Sequence, residues 1–267
     1  MVWARSIGLA SATAALMLLA VPSWADVTVT ENTGGKMFGA ADLSGTKVTR
    51  IKGHKMRQDN IRAAGGDSTS MIFDLDAGKL IILNNTKKEA MVRATKDFGE
   101  AMTKVADADV KSEMTPTGAT KTVAGQSCNV FDATVSVSFT MVEKQPPMTM
   151  TMKGPVCLSK SAPGTADFRE FYSTASQKGF MFTDPATAKA QPGMAKAMSS
   201  MLSKMAENGI SLGSDMTMTF TGEGMMAQMM QKMGGGKLTS EATKIETGSI
   251  ADDVFAVPAD YKTREAK

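Results

Sequence analysis

Histidine occurs once and cysteine twice in these 267 residues, and the two shortages exclude most of the chemistry an enzyme would need. One imidazole, His54, cannot supply both a base and a metal ligand, so neither a His-based triad nor a zinc site of ordinary ligand spacing can be assembled. His54 lies in "IKGHKMRQD" among charged neighbours, where a solvated strand histidine is expected. Asp74/Asp76 and Asp252/Asp253 are the candidate carboxylate pairs, but so close in sequence and within turns they read as solvated. Gly234 to Gly236 lack the strand before and helix after that a phosphate loop requires. No catalytic residue, no cofactor and no metal is expected.

An excess of one charge is also missing. Removing Arg5, the only charged residue among the first 25, leaves 29 basic against 27 acidic side chains, interspersed along the chain. That excludes a nucleic-acid footprint. The long apolar run is confined to residues 7–21, and with Arg5 before it and Ser23-Trp24-Ala25 after it the segment reads as a signal peptide cleaved after Ala25. The expected product is an exported periplasmic monomer of residues 26–267, one β-rich domain, with no span of the roughly 18 to 20 apolar residues that a membrane helix needs. Both tryptophans, Trp3 and Trp24, fall in the leader.

In an oxidising compartment Cys128 and Cys157 are expected to be joined. They lack the C-x-x-C spacing of a redox pair. Around them the chain alternates: Val135, Val137, Phe139 and Met141 against Thr134, Ser136, Ser138 and Thr140, then Met148, Met150 and Met152 against Thr149, Thr151 and Lys153. One face is apolar and the other hydroxyl-lined, as in an antiparallel sheet wet on one side. Continued outward, that parity places both cysteines on the hydroxyl face, and a plain hairpin would misalign them by about four residues, which asks for a bulge near Pro155.

Elsewhere, 71–75 and 80–83 read as hairpin arms across Asp76-Ala77-Gly78. Helices are expected over 94–108, 165–178 and 193–209, the last with Met194, Met198, Met201 and Met205 stepping by four, three and four. A short helix or loop, "GMMAQMMQKMGGG" at 224–236, carries Met225, Met226, Met229, Met230 and Met233 on one broad face.

Methionine is the anomaly. Of 24, only Met1 and Met17 leave with the leader, and the remaining 22 stand beside eight leucines. Flexible thioethers fill irregular cores, and they also line cavities whose contents vary. They select Cu(I) as well, and Met226, Met229, Met230 and Met233 have M-x-x-M spacings that would suit it, as Met148, Met150 and Met152 have M-x-M. Exposed methionines would instead scavenge oxidants.

Four segments, "IKGHKMRQD", "MIFDLDAGKLIILNNTKKEAM", "TKTVAGQSCNVFD" and "DVFAVPADYK", are together similar to a family of exported proteins of unknown function whose fold resembles the LolA/LolB-like carriers that localise lipoproteins. The resemblance implies a strongly curved, incompletely closed antiparallel half-barrel with helices plugging its concave face around an apolar cavity. In the carriers that cavity accepts acyl chains. The ligand-binding candidates are therefore Met194, Met198, Met201 and Met205 as cavity lining and Met225, Met226, Met229, Met230 and Met233 as a lid, with a lipid or lipoprotein as partner.

Overall fold

The computed structural model describes residues 26–37, 41–63, 68–94, 110–140, 146–178, 180 and 192–265. The proposed leader, the expected helix at 94–108 (apart from Ala94) and Met141 lie outside the described residues. Thirteen strands form one sheet: β1 (Val27–Met37), β2 (Ala41–Asp42), β3 (Gly45–Lys52), β4 (Lys55–Arg62), β5 (Thr69–Asp74), β6 (Lys79–Asn84), β7 (Glu89–Ala94), β8 (Val110–Val123), β9 (Gln126–Phe139), β10 (Met148–Ser159), β11 (Ile210–Thr221), β12 (Gly236–Thr247) and β13 (Lys262–Glu265). Three α-helices, α1 (Thr165–Gln177), α2 (Pro192–Asn208) and α3 (Met225–Lys232), and a 3-10 turn over Asp252–Phe255 complete the described elements.

Strand order is β13-β7-β6-β5-β4-β3-β1-β12-β11-β10-β9-β8, with β2 beside β1. Among the described strands every pairing is antiparallel except β13 with β7. The sheet stays open and is curved. β8 and β12 are four steps apart in the order, about 19 Å in a flat sheet, yet Cα atoms of the two strands approach within 8 Å. The chain is thus β-rich with an unclosed sheet.

Alternation decides which face is covered. Val27 and Val29 on β1, Ile51 on β3 and Met56 on β4 are buried and pack with Phe171, Tyr172 and Ala175 of α1. Ala133, Val135 and Val137 of β9 and Val156 and Leu158 of β10 pack with Ala197 and Met201 of α2. Further along the same face, Met148 and Met150 of β10 and Met218 and Phe220 of β11 receive Ala227 and Met230 of α3. Burying each of the Val, Leu, Ile, Phe and Met side chains among these contributes roughly 1.5 to 3 kcal/mol. The approach of α1 depends on Gly164: its φ is 75°, and a Cβ there would come within 2.5 Å of Val27.

The opposite face is dry at the β4–β7 end. Ile72, Leu83 and Ala90 are closed over by Phe255, with Ile250, Val254, Val257 and Tyr261 around them. A polar network fastens that cover. Asp59 is paired with Arg50 and accepts from Arg57 Nε at 2.8 Å and Ser70 Oγ at 2.5 Å, while Arg57 donates to the Val254 carbonyl at 2.9 Å and Tyr261 to Asn85 Oδ1 at 3.0 Å. The ending "DVFAVPADYK" is therefore a second core cover.

Cys128 and Cys157 form a disulfide. Two expectations about its surroundings are corrected. No bulge at Pro155 is needed, because β9 and β10 keep one unbroken register from Met148↔Phe139 to Leu158↔Asn129; the irregularity lies between Cys157 and Leu158 and concerns β11. The hydroxyl face is also not uniformly wet. Ser136 and Ser138 bond Thr151 and Thr149 at 3.1 and 2.9 Å, but further along the same face both cysteines and Val130 are buried, in one cluster with Leu212, Ala242 and Val123. There the β8–β9 ribbon, irregular between Pro116 and Thr120, curls back towards β12.

Candidate ligand-binding cavity

Between the sheet and helices α1 and α2 lies a cavity of about 410 Å³. Six methionines contribute to its apolar wall, Met56 from β4, Met152 from β10, Met216 from β11, and Met198, Met201 and Met205 from α2, with Val29, Val135, Leu202, Phe168 and other aliphatic side chains completing it. The helical steps of three and four bring the α2 methionines to one face, and the alternation of β10 and β11 directs Met152 and Met216 to the same space. Met201 is buried, and Met198 and Met205 are half-buried. Met194 lies on α2, but its side chain is outside the described residues.

One side of the cavity is polar. Glu31 and Lys47 are cross-strand partners on β1 and β3, joined at 2.7 Å, and Thr49 and Gln58, partners on β3 and β4, continue the polar strip into the lining. Tyr172 of α1 is buried beside them. Burial first, and the Glu31 charge second, push its phenol well above the ordinary tyrosine value, so it stays protonated and donates to Met56 Sδ at 3.7 Å. Phe171 meets it edge-on.

None of Met225, Met226, Met229, Met230 and Met233 lines this cavity. Instead α3 docks beside it: Ala227 is buried and Met230 packs on the cluster that includes Met152, a residue shared with the cavity wall. Met225, Met229 and Met233 are 81, 48 and 42% exposed, and Met226 is half-buried. The stripe at 225–233 thus divides, because a helix packed through Ala227 turns the far side of a broad apolar face to solvent. Of the four methionines with copper-like spacing, Met226 and Met230 are half-buried and Met229 and Met233 exposed. Among the described residues, no group of three or more His, Cys, Asp or Glu side chains is placed to hold a metal.

His54 sits in the turn between β3 and β4, not within a strand. Its Nδ1 is 2.9 Å from Asp76, which also accepts from Lys178 at 3.0 Å. Lys178 first, then His54, hold the Asp76 carboxyl below its usual range. Asp74 accepts from the backbone of Asp76 and Ala77, and Asp252 pairs with Lys52 at 2.8 Å. Each of these carboxylates serves a turn or a surface ion pair.

Sequence reasoning passed over Glu31, Lys47, Thr49, Gln58, Met56 and Met216. A signal was present for Glu31: it shares the parity of Val27 and Val29 and so falls on their apolar face. A carboxylate in that position asks for a partner.

No family model matches the chain, and no curated protein matches it. Among solved structures, PNGF-II aligns over 91% of this chain with a TM-score of 0.36 and 11% identity; the chain spans 32% of that protein's length. A LolA superfamily protein from Nitrosomonas europaea aligns over 88% of this chain and 91% of its own, with a TM-score of 0.30 and 8% identity. At these scores neither likeness carries an argument about this chain. Among the described residues, no helix is long and apolar enough to cross a membrane.

Proposed function

We propose that this chain is a non-enzymatic periplasmic protein that holds an apolar ligand, a lipid or a lipidated polypeptide, in the methionine-lined cavity. The observation that carries the reading is the cavity itself: about 410 Å³, walled by Met56, Met152, Met198, Met201, Met205 and Met216. That volume is within the range of about 300 to 1,000 Å³ of small-molecule sites. Unbranched thioethers accommodate chains of different length and unsaturation because each has three rotatable bonds. The leader-like first 25 residues and the disulfide support the compartment, and the paired Glu31–Lys47 offers neither a free base nor a nucleophile.

Native mass spectrometry of gently purified protein tests this directly. The expected result is a mass excess of a few hundred daltons, or uptake of fatty acyl or phospholipid species on mixing. A clean apo mass with no uptake overturns the reading. A second reading rests on a separate observation, the exposure of Met225, Met229 and Met233: these thioethers are presented to solvent as oxidant traps.

A further inference from the structure

The polar side of the cavity carries information about the ligand's head. Glu31 and Lys47 lie directly opposite one another on β1 and β3, 2.7 Å apart, with side chains only 7 and 25% exposed. Because each neutralises the other, this part of the wall has no net charge. A carboxylate head approaching the Lys47 ammonium must lie beside the Glu31 carboxylate, so attraction and repulsion largely cancel while the head still loses water. A head that carries both a donor and an acceptor fares differently. It gives a hydrogen bond to Glu31 and takes one from Lys47, and Thr49 and Gln58 can both donate and accept for its remaining groups. The thioethers of Met152, Met198, Met201 and Met205 give the tail an apolar wall, and the hydroxyls of Ser211, Ser214, Thr239 and Ser240, which also line the cavity, carry no charge.

We infer that the cavity selects amphiphiles whose polar head bears no net charge and discriminates against free fatty acids. This rests on the proposed binding of an apolar ligand and names its class. Two sources share the chemistry, zwitterionic lysophospholipids and neutral monoacylglycerols.

The test is displacement of the uncharged probe N-phenyl-1-naphthylamine from the whole exported chain at pH 7.5. The competitors are lysophosphatidylethanolamine, a monoacylglycerol and the fatty acid of the same chain length, each below its critical micelle concentration. The first two should displace at roughly tenfold lower concentration than the fatty acid, a difference of about 1.4 kcal/mol. Which of the two acts at lower concentration identifies the source. Glu31→Gln leaves Lys47 uncompensated and should raise fatty-acid affinity about tenfold relative to that of the monoacylglycerol. Lys47→Met should do the converse, favouring a single-chain quaternary ammonium amphiphile, and carries the test on its own if Glu31→Gln melts early. Equal or better displacement by the fatty acid in the natural sequence, or unchanged head-group ratios in the variants, overturns the inference while leaving apolar binding intact. Failure of the probe and of every amphiphile to bind overturns the proposed function itself.

Discussion

Cys128 and Cys157 are bonded diagonally across the β9–β10 ladder: Cys157 is paired with Val130, and Cys128 lies two residues further along its strand on the same face. The bond closes a sequence separation of 29 residues and ties the curled end of the β8–β9 ribbon to β10. In the chain-entropy account a loop of that size contributes about 3 to 4 kcal/mol. Replacing both cysteines by alanine should cost about 2 to 4 kcal/mol and lower the melting temperature by about 5 to 15 °C. Thermal unfolding with and without reductant checks this, as does a thiol assay on denatured, unreduced protein, which should find no free sulfhydryl.

Asp59 should be the most sensitive charged position on the face opposite the helices. Burial, the largest single influence, pushes its carboxyl up, but the hydrogen bonds of Ser70 and Arg57 and the charges of Arg57 and Arg50 together hold it below the ordinary aspartate value. A carboxyl lowered in the folded state contributes its stability fully above the unfolded value of about 4, and loses it as pH falls through the folded value. Asp59→Ala strands Arg57 and Ser70 beneath the 250–261 cover and should cost about 2 to 4 kcal/mol at pH 7. Urea unfolding at pH 7 and pH 3 separates the effects: the natural chain should lose stability between the two, and Asp59→Asn should lose less.

Filling the cavity should abolish binding without unfolding the chain. Met198 lines the cavity and is half-buried, so Met198→Trp has room to turn into the space at a cost of about 1 to 3 kcal/mol. The expected result is at least a tenfold loss of probe affinity with a retained cooperative melt. Both natural tryptophans fall in the first 25 residues, so in protein produced from Asp26 onwards the new indole doubles as a fluorescence reporter. Unchanged affinity would place the ligand elsewhere.

Mild peroxide should read out the division of α3. Oxidation follows exposure, so peptide mapping should find Met225 modified first, Met229 and Met233 next, and Met150 and Met201 last. Uniform modification would mean that α3 and the core open together.

Hydrogen exchange across 224–236 tests the neighbouring role. α3 has eight residues and is too short to hold its structure without packing; its anchor is Ala227 and Met230 on the cluster containing Met152. A tail seated against Met152 should increase amide protection there. Protection that lipid does not change would leave α3 as packing alone.

The alternation of β9 and β10, the hairpin across Asp76-Ala77-Gly78, the helices at 165–178 and 193–209 and the cysteine pair were legible in the amino-acid order, because each depends on a period of two or 3.6 residues or on the count of one residue type. The Met198, Met201 and Met205 stripe was legible for the same reason. What faced it was not. Periodicity states which residues share a side of an element, but not which distant element covers that side; so the placement of Met56, Met152 and Met216 opposite α2, the turning of Met225 and Met229 to solvent, and the meeting of Glu31 with Lys47 were decided only when the strands were ordered. Sheet order brings β1, β3 and β4 to the same cavity as β9 to β11, across contacts separated by more than a hundred residues, and there the polar and apolar halves of the cavity first become one site.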